Sequence, residues 1–259
     1  MSTDAELLAA CYAGIEPFVR IHAGARGGSV LQSGPMTGSL LPTSPKSSLL
    51  NAFVYEQDRG NEVAAQLAPI DVAVADEGIS AWGVWAIDGD EVVERVLQDY
   101  GFVLDSQPQA MGVDLADLEL DEARADGVVE RWDPKLMAGI NERAYGVRPG
   151  RFSEPLAEMA QPEGTQLFFA IDKDGDPAAV AMSLHLPSGD CSFYWVATEP
   201  DHHRQGFGSR VMTKALLHAI ENGCTTTTLQ ASNHGGGPLY LSMGFRDLGK
   251  SVNLWELRR

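Results

Sequence analysis

The sequence predicts an α/β (α+β) chain built from two similar halves, and three observations carry that prediction. Segments with helical and with strand-like spacing of apolar residues alternate along the 259 residues. The alternation breaks at the acidic stretch 121–127 and then restarts. Finally, Val96-Leu97-Gln98-Asp99-Tyr100-Gly101-Phe102 lines up without a gap with Leu239-Tyr240-Leu241-Ser242-Met243-Gly244-Phe245. The same offset brings Asp58 onto Asp201, each just ahead of a helical segment.

The first half opens with a helix over 5–12, its apolar residues at helical spacing. The Gly-, Ser- and Pro-rich stretch 24–48 reads as loop, with one strand at 29–32. A short strand at 51–56 and a helix at 60–67 follow; 79–87, apolar and aromatic, is a buried strand. Residues 91–100 form a helix that Gly101 closes, and 109–115 is a further strand.

The second half begins with a helix at 133–145, Pro134 in its first turn and Gly146 at its close. A short helix at 155–160 comes next. Strands at 166–171 and 178–186 flank the turn Asp172-Lys173-Asp174-Gly175-Asp176, which reads as a hairpin because it lacks the twelve-residue ligand pattern of a calcium loop. Then come a strand at 193–198, a long helix at 206–222, a β-branched strand at 225–230, a short helix at 238–243 and a last strand at 251–257.

Composition narrows the function. The formal net charge is −17, and it is uneven: residues 1–119 carry −13 and residues 120–259 carry −4. Such a surface repels phosphate backbones, so nucleic acid is excluded as a partner, and it suits a cationic acceptor such as an amine. No apolar run approaches the roughly 20 residues of a membrane span, and the acidic start does not resemble a signal peptide. Three widely spaced cysteines without a C-x-x-C pair fit neither a disulfide framework nor a zinc site; no metal is expected, and a reducing, cytoplasmic setting is.

One turn has the chemistry of an anion site. His203-Arg204-Gln205-Gly206-Phe207-Gly208-Ser209 lies between a strand and the long helix. Unpaired N–H groups and the helix dipole make a helix start electropositive, and glycines let an anion approach the backbone. The third glycine of a dinucleotide fingerprint is missing, as is the Lys of a P-loop. A glycine pair at a helix start also serves packing alone.

The surroundings make the turn specific. Thr198-Glu199-Pro200-Asp201-His202-His203-Arg204-Gln205-Gly206-Phe207-Gly208-Ser209 resembles the GNAT acyltransferase signature, Q/R-x-x-G-x-G/A opening a helix, with His203 where Arg or Gln is usual. Downstream, Asn233-His234-Gly235-Gly236-Gly237-Pro238-Leu239-Tyr240, followed by Met243-Gly244-Phe245, resembles the family's second motif in order and spacing.

The resemblance covers roughly 115–259 and implies a mixed, mostly antiparallel central sheet flanked by helices and splayed between its fourth and fifth strands. It implies acetyl-CoA as co-substrate, with its pantetheine along Val196, Ala197 and Thr198, its pyrophosphate on residues 203–209, and Asn233 nearby. Asn233 reads equally as a helix N-cap. The chain is then two tandem GNAT-like domains, 114–259 binding CoA and 1–113 degenerate. At the repeat offset Leu97 stands for Tyr240, and Val63 and Ala65 stand for Gly206 and Gly208, so no CoA site is expected in the first half.

Amine acylation by direct transfer needs a deprotonated amine, a polarised thioester carbonyl and a proton for the leaving thiolate. Tyr240 matches the family's general acid, though it also reads as a packed core tyrosine. A backbone N–H at or beside Val196 would polarise the carbonyl. For the base, Tyr194 stands where many members carry Glu; Glu199 and His185 are nearby alternatives, and each also has a purely structural reading. The expected activity is N-acetylation of a primary amine on a small molecule, a protein N-terminus or a lysine, by a monomer or homodimer. A non-catalytic acyl-CoA-binding protein is the rival, against which Tyr240 speaks.

Overall fold

The chain starts with a capping box: Thr3 Oγ1 accepts from the Glu6 N–H while the Glu6 carboxylate accepts from the Thr3 N–H, opening helix α1 (Asp4–Ala13). Helix α2 (Ile15–Ala23) follows after Gly14. The computed structural model describes residues 1–232 and 236–259.

Inside the stretch expected to be mostly loop lie two paired strands, β1 (Ser29–Ser33) and β2 (Met36–Leu40). All of β2 is buried, so its small polar residues serve a strand covered on both faces, a setting that their composition does not signal. Strand β3 (Ala52–Tyr55) leads through a 3₁₀ segment, Gln57–Glu62, into α3 (Val63–Asp76). Strand β4 (Ala81–Ile87) and α4 (Glu91–Tyr100) come next; Asp90 caps α4, and Gly101 closes it at φ 108°, a left-handed value natural to glycine. Strand β5 (Val103–Ser106) is mostly exposed, which explains why no apolar pattern marks it.

Strand β6 (Gln109–Asp114) and β7 (Val128–Glu130) precede α5 (Pro134–Ala144), whose N-cap Asp133 accepts from Leu136 N–H at 2.9 Å. The expected helix at 155–160 is instead a run of turns. Strands β8 (Thr165–Ile171) and β9 (Pro177–His185) form the expected hairpin, its turn tied by Asp172 accepting from the N–H groups of Asp174 and Asp176. Strand β10 (Asp190–Thr198), helix α6 (Phe207–Glu221), strand β11 (Thr226–Ala231), helix α7 (Gly237–Ser242) and strand β12 (Arg246–Arg258) complete the order. No helix among the described residues is long and apolar enough to cross a membrane.

These elements sort into two units. One comprises Met1–Gly14 and Gln109–Gly249, the other Ile15–Pro108 and Lys250–Arg259. A single cut between 113 and 114 does not describe this exchange of end segments. The first unit's sheet runs β6-β11-β10-β9-β8-β7, antiparallel except for the parallel pair β10–β11. Phe168, Ala170, Ala179, Ala181 and Phe193 meet Val211, Met212, Ala215 and Leu216 of α6 in its core. Each fully buried Leu or Phe of this kind contributes about 2–3 kcal/mol. Alternation sends Ser192 and Tyr194 to the other face, against the C-terminal end of α1.

The second unit's sheet runs β1-β2-β3-β4-β12, with β5 also pairing β12 and only β3–β4 parallel. Trp82 sits edge-on to both Phe53 and Phe102, with ring centroids 5.5 and 4.8 Å apart. The buried Asp71 accepts from Trp82 Nε1 at 3.2 Å, Tyr100 Oη at 3.3 Å and Arg259 Nε at 2.6 Å, which holds the end of β12 in place.

Candidate active site

In the first unit β10 and β11 stay paired only from Asp190↔Thr226 to Phe193↔Leu229, although β10 continues to Thr198 and β11 to Ala231. Beyond that point they splay. The cause is visible on the other edge of β10. Its register with β9 jumps from Tyr194↔Met182 to Ala197↔Val180, three residues against two, so one extra residue bulges out. Trp195 adopts φ 51°, unusual for a bulky side chain. The bulge bends the strand and turns backbone groups out of the ladder.

Three side chains from the last turn of α5 hold the bent strand. Asn141, buried, donates from Nδ2 to Trp195 O at 3.1 Å. Arg143 makes a two-pronged ion pair with Glu199 just beyond β10, with Nη2–Oε1 at 2.6 Å and Nε–Oε2 at 3.0 Å. Tyr145 places its hydroxyl 3.4 Å from both Val196 O and Ser232 Oγ. The Phe152 ring packs edge-on to Trp195 at 5.6 Å. Phe152 itself is fixed by Glu142, whose carboxylate accepts from the N–H groups of Gly150, Phe152 and Ser153 and from Ser153 Oγ. Burial alone would raise the Glu142 pKa, but these donors outweigh it and hold the carboxyl below its ordinary value.

The glycine-rich turn follows Thr198. Arg204 and Gly206 take left-handed φ values of 59° and 87°, reversing the chain into α6. His203 Nε2 reaches Thr198 O at 3.0 Å, which requires the Nε2–H tautomer, and Gln205 Nε2 donates to Asp201 O at 2.8 Å. Both side chains therefore brace the turn from within. The helix's first hydrogen bond runs from Arg210 N–H to Gly206 O at 3.0 Å, so the N–H groups of Phe207, Gly208 and Ser209 lie ahead of the ladder, and Gly206 supplies no side-chain cap. A Cβ on Gly208 would come within 3.2 Å of both Leu239 Cδ2 and Thr198 Oγ1, whereas Gly206 faces open space. The result is an uncapped, electropositive helix start at the mouth of the splay. A cavity of about 430 Å³ opens beside it, lined among others by Leu120, Arg124, Ser209, Thr213 and Met243.

The structure brings Val196, Ala197, Thr198, residues 203–209 and Tyr240 to one region of this unit. Tyr240 is buried in the same core, its ring 5.8 Å from Phe245. Burial pushes its phenol well above the ordinary value, and the nearby Tyr145 adds in the same direction. Asn233 lies outside the described residues. Of the three base candidates, Glu199 adjoins Thr198 and is engaged by Arg143. Tyr194 is buried with its hydroxyl on the α1 face, and burial pushes its pKa well up. His185 pairs with Cys191 at the opposite end of β10, roughly 16 Å along the strand from Val196. Its ring lies 5.2 Å from His218, and burial, then His218, holds the imidazole below its ordinary pKa. Sequence reasoning overlooked Asn141, Arg143 and Tyr145, three polar or aromatic residues crowded into one helix end.

Comparison with known proteins accords with this geometry. The family described as acetyltransferase (GNAT) matches residues 135–245. Residues 135–245 form a GNAT-family acetyltransferase domain. Comparison with curated proteins returns no match. Among solved structures, a GCN5-related N-acetyltransferase from Kribbella flavida superposes with TM-score 0.65 and 23% identity, over 94% of this chain and 95% of that one. A tandem GNAT protein from the clavulanic acid biosynthesis pathway gives 0.60 and 11%, over 97% and 93%. A functionally unknown conserved protein from Staphylococcus epidermidis gives 0.60 and 12%, over 90% and 94%. At these identities the likeness concerns fold alone, and it spans both halves: the chain has a tandem GNAT fold. The family supports acyl transfer in general.

Proposed function

We propose that the GNAT domain of the second half transfers an acetyl group from acetyl-CoA to a primary amine by direct attack, with no covalent enzyme intermediate. The observation that carries this reading is the combination of a splayed β10–β11 pair with an uncapped, glycine-lined helix start at its mouth. A pantetheine arm fits the splay along Val196, Ala197 and Thr198, and a pyrophosphate suits the N–H groups of Phe207, Gly208 and Ser209.

Acetyl-CoA would bring the activated acyl group; the protein's part is to hold it, polarise it and supply a proton. A backbone N–H at or beside Val196, in the bulge, would polarise the carbonyl oxygen as it gains charge. Tyr240 Oη–H is the proton donor to the departing thiolate. Its raised pKa keeps it fully protonated at neutral pH, and a thiolate leaving into the same water-poor pocket is itself made more basic by burial. A route through Cys191 is disfavoured: that thiol is buried, and burial, then Cys224, pushes its pKa far above the ordinary range. The free cysteines suit a reducing, cytoplasmic setting.

The test is a CoA-release screen over amino acids, polyamines, aminoglycosides and peptide N-termini, run with the native chain and with Tyr240→Phe. One or more amines should turn over, and Tyr240→Phe should lower kcat about a hundredfold at nearly unchanged affinity for CoA. Tight CoA binding with no turnover on any amine would turn the reading into that of a non-catalytic binder.

A further inference from the structure

We infer that Tyr145 sets the length of the acyl group the splay admits, a role that rests on the acyl-CoA reading above. Its ring enters from the C-terminal end of α5 and its hydroxyl touches both sides of the gap: Val196 O in the bulge of β10, and Ser232 Oγ just past the end of β11. The phenol therefore spans the splay where the two strands part. Tyr145 also acts electrostatically on Tyr240, the proposed proton donor.

The wall is fixed at its base through the end of α5. Tyr145 N–H donates to Asn141 O at 3.0 Å, Asn141 is tied to Trp195 O, and Arg143 is tied to Glu199, so the helix end is attached to β10 on either side of the ring. The two hydroxyl contacts, at 3.4 Å, are at the outer limit of hydrogen bonding. With 44% of the residue exposed, the ring is not packed in on all sides. A two-carbon acyl group stops short of such a wall. Each added methylene has to displace it, and a misfitting methylene in a closed pocket commonly costs about tenfold or more in affinity.

Binding measurements test this without knowledge of the acceptor. The full chain is titrated calorimetrically with CoA, acetyl-CoA and butyryl-CoA, as the native protein, Tyr145→Phe and Tyr145→Ala. The native chain should bind CoA and acetyl-CoA alike and butyryl-CoA at least about tenfold more weakly. Tyr145→Phe, which keeps the ring, should preserve that ratio. Tyr145→Ala should bring butyryl-CoA to within about threefold of acetyl-CoA whatever its affinity for CoA itself, with an unchanged circular dichroism spectrum showing that the variant is folded. A native chain that binds butyryl-CoA as well as acetyl-CoA, or a Tyr145→Ala variant with the penalty intact, overturns the role of Tyr145 alone. Failure of the native chain to bind CoA overturns the acyl-CoA reading and this role with it.

Discussion

The two units contain the same parallel strand pair followed by a helix, and they differ in what occupies the space between the strands. In the second half β10 and β11 part after Phe193↔Leu229, and an uncapped, glycine-lined helix start follows. In the first half β3 and β4 are paired only at Ala52↔Gly83 and Phe53↔Val84, so they part as well. There, however, Tyr55 Oη donates to Asp90 Oδ2 at 2.6 Å, joining the end of β3 to the cap of α4. A Cβ on Gly60 would come within 3.0 Å of Val93. Helix α3 begins at Glu62 and Val63 rather than at glycines, with Glu56 nearby and Arg59 bound to both glutamates. Leu97, fully buried, stands where Tyr240 stands at the repeat offset. A splay is thus common to the fold; an uncapped, electropositive helix start at its mouth is not, and on this we base the proposal that the first half binds no CoA.

The largest effect should come from giving the second turn the acidity of the first. Gly206→Asp adds a side chain at φ 87° and a carboxylate at the helix start. It should weaken CoA about a thousandfold, measured by calorimetry; unchanged affinity would refute the cradle.

A second difference is the chain that follows the helix on each sheet's edge. Residues 24–28 join α2 to β1, whereas 145–164 join α5 to β8, and Glu142 anchors the longer loop. Glu142→Gln should cost about 2 kcal/mol at neutral pH, read from urea unfolding. The sign with pH follows from linkage: the native carboxyl has a lowered pKa, so its contribution is complete above the unfolded value near 4.3 and disappears as pH falls through the native one. The difference between variant and native chain should therefore shrink below about pH 4. A gap that stays constant down to pH 3 would mean that Glu142 acts by shape alone.

The smallest effect belongs to the first unit's closure. Tyr55→Phe should destabilise the chain by about 1 kcal/mol and leave CoA affinity as it was. If CoA binding to a second site appeared instead, the hydroxyl bridge would be what closes the first splay.

Much of this was legible in sequence wherever a local signal decides the structure. Gly101, Pro134 and the Asp172–Asp176 turn mark their elements because backbone geometry demands those residues. Gly206 and Gly208 mark the cradle for the same reason. Strand β2 was not legible, since Thr37, Gly38 and Ser39 carry no strand pattern and are placed by pairing with residues far along the chain. Helix α2 was hidden by Pro17, which its first turn tolerates. The surroundings of the base candidates were not legible, because proximity in sequence to β10 does not fix facing: the bulge at Trp195 and the pairing of Glu199 with Arg143 are three-dimensional facts.

The exchange of end segments has a consequence for synthesis. The strand that completes the first-half sheet beside β4 is residues 252–258, made long after β4, while β6 waits for β11. Until then the edge of β4 has no partner, and an unpaired edge invites association with other chains. The sheet is therefore not completed until residues 252–258 have been made, and a fragment ending near residue 113 would keep that edge open. Each unit thus takes a segment from the far end of the chain, and neither is finished without it.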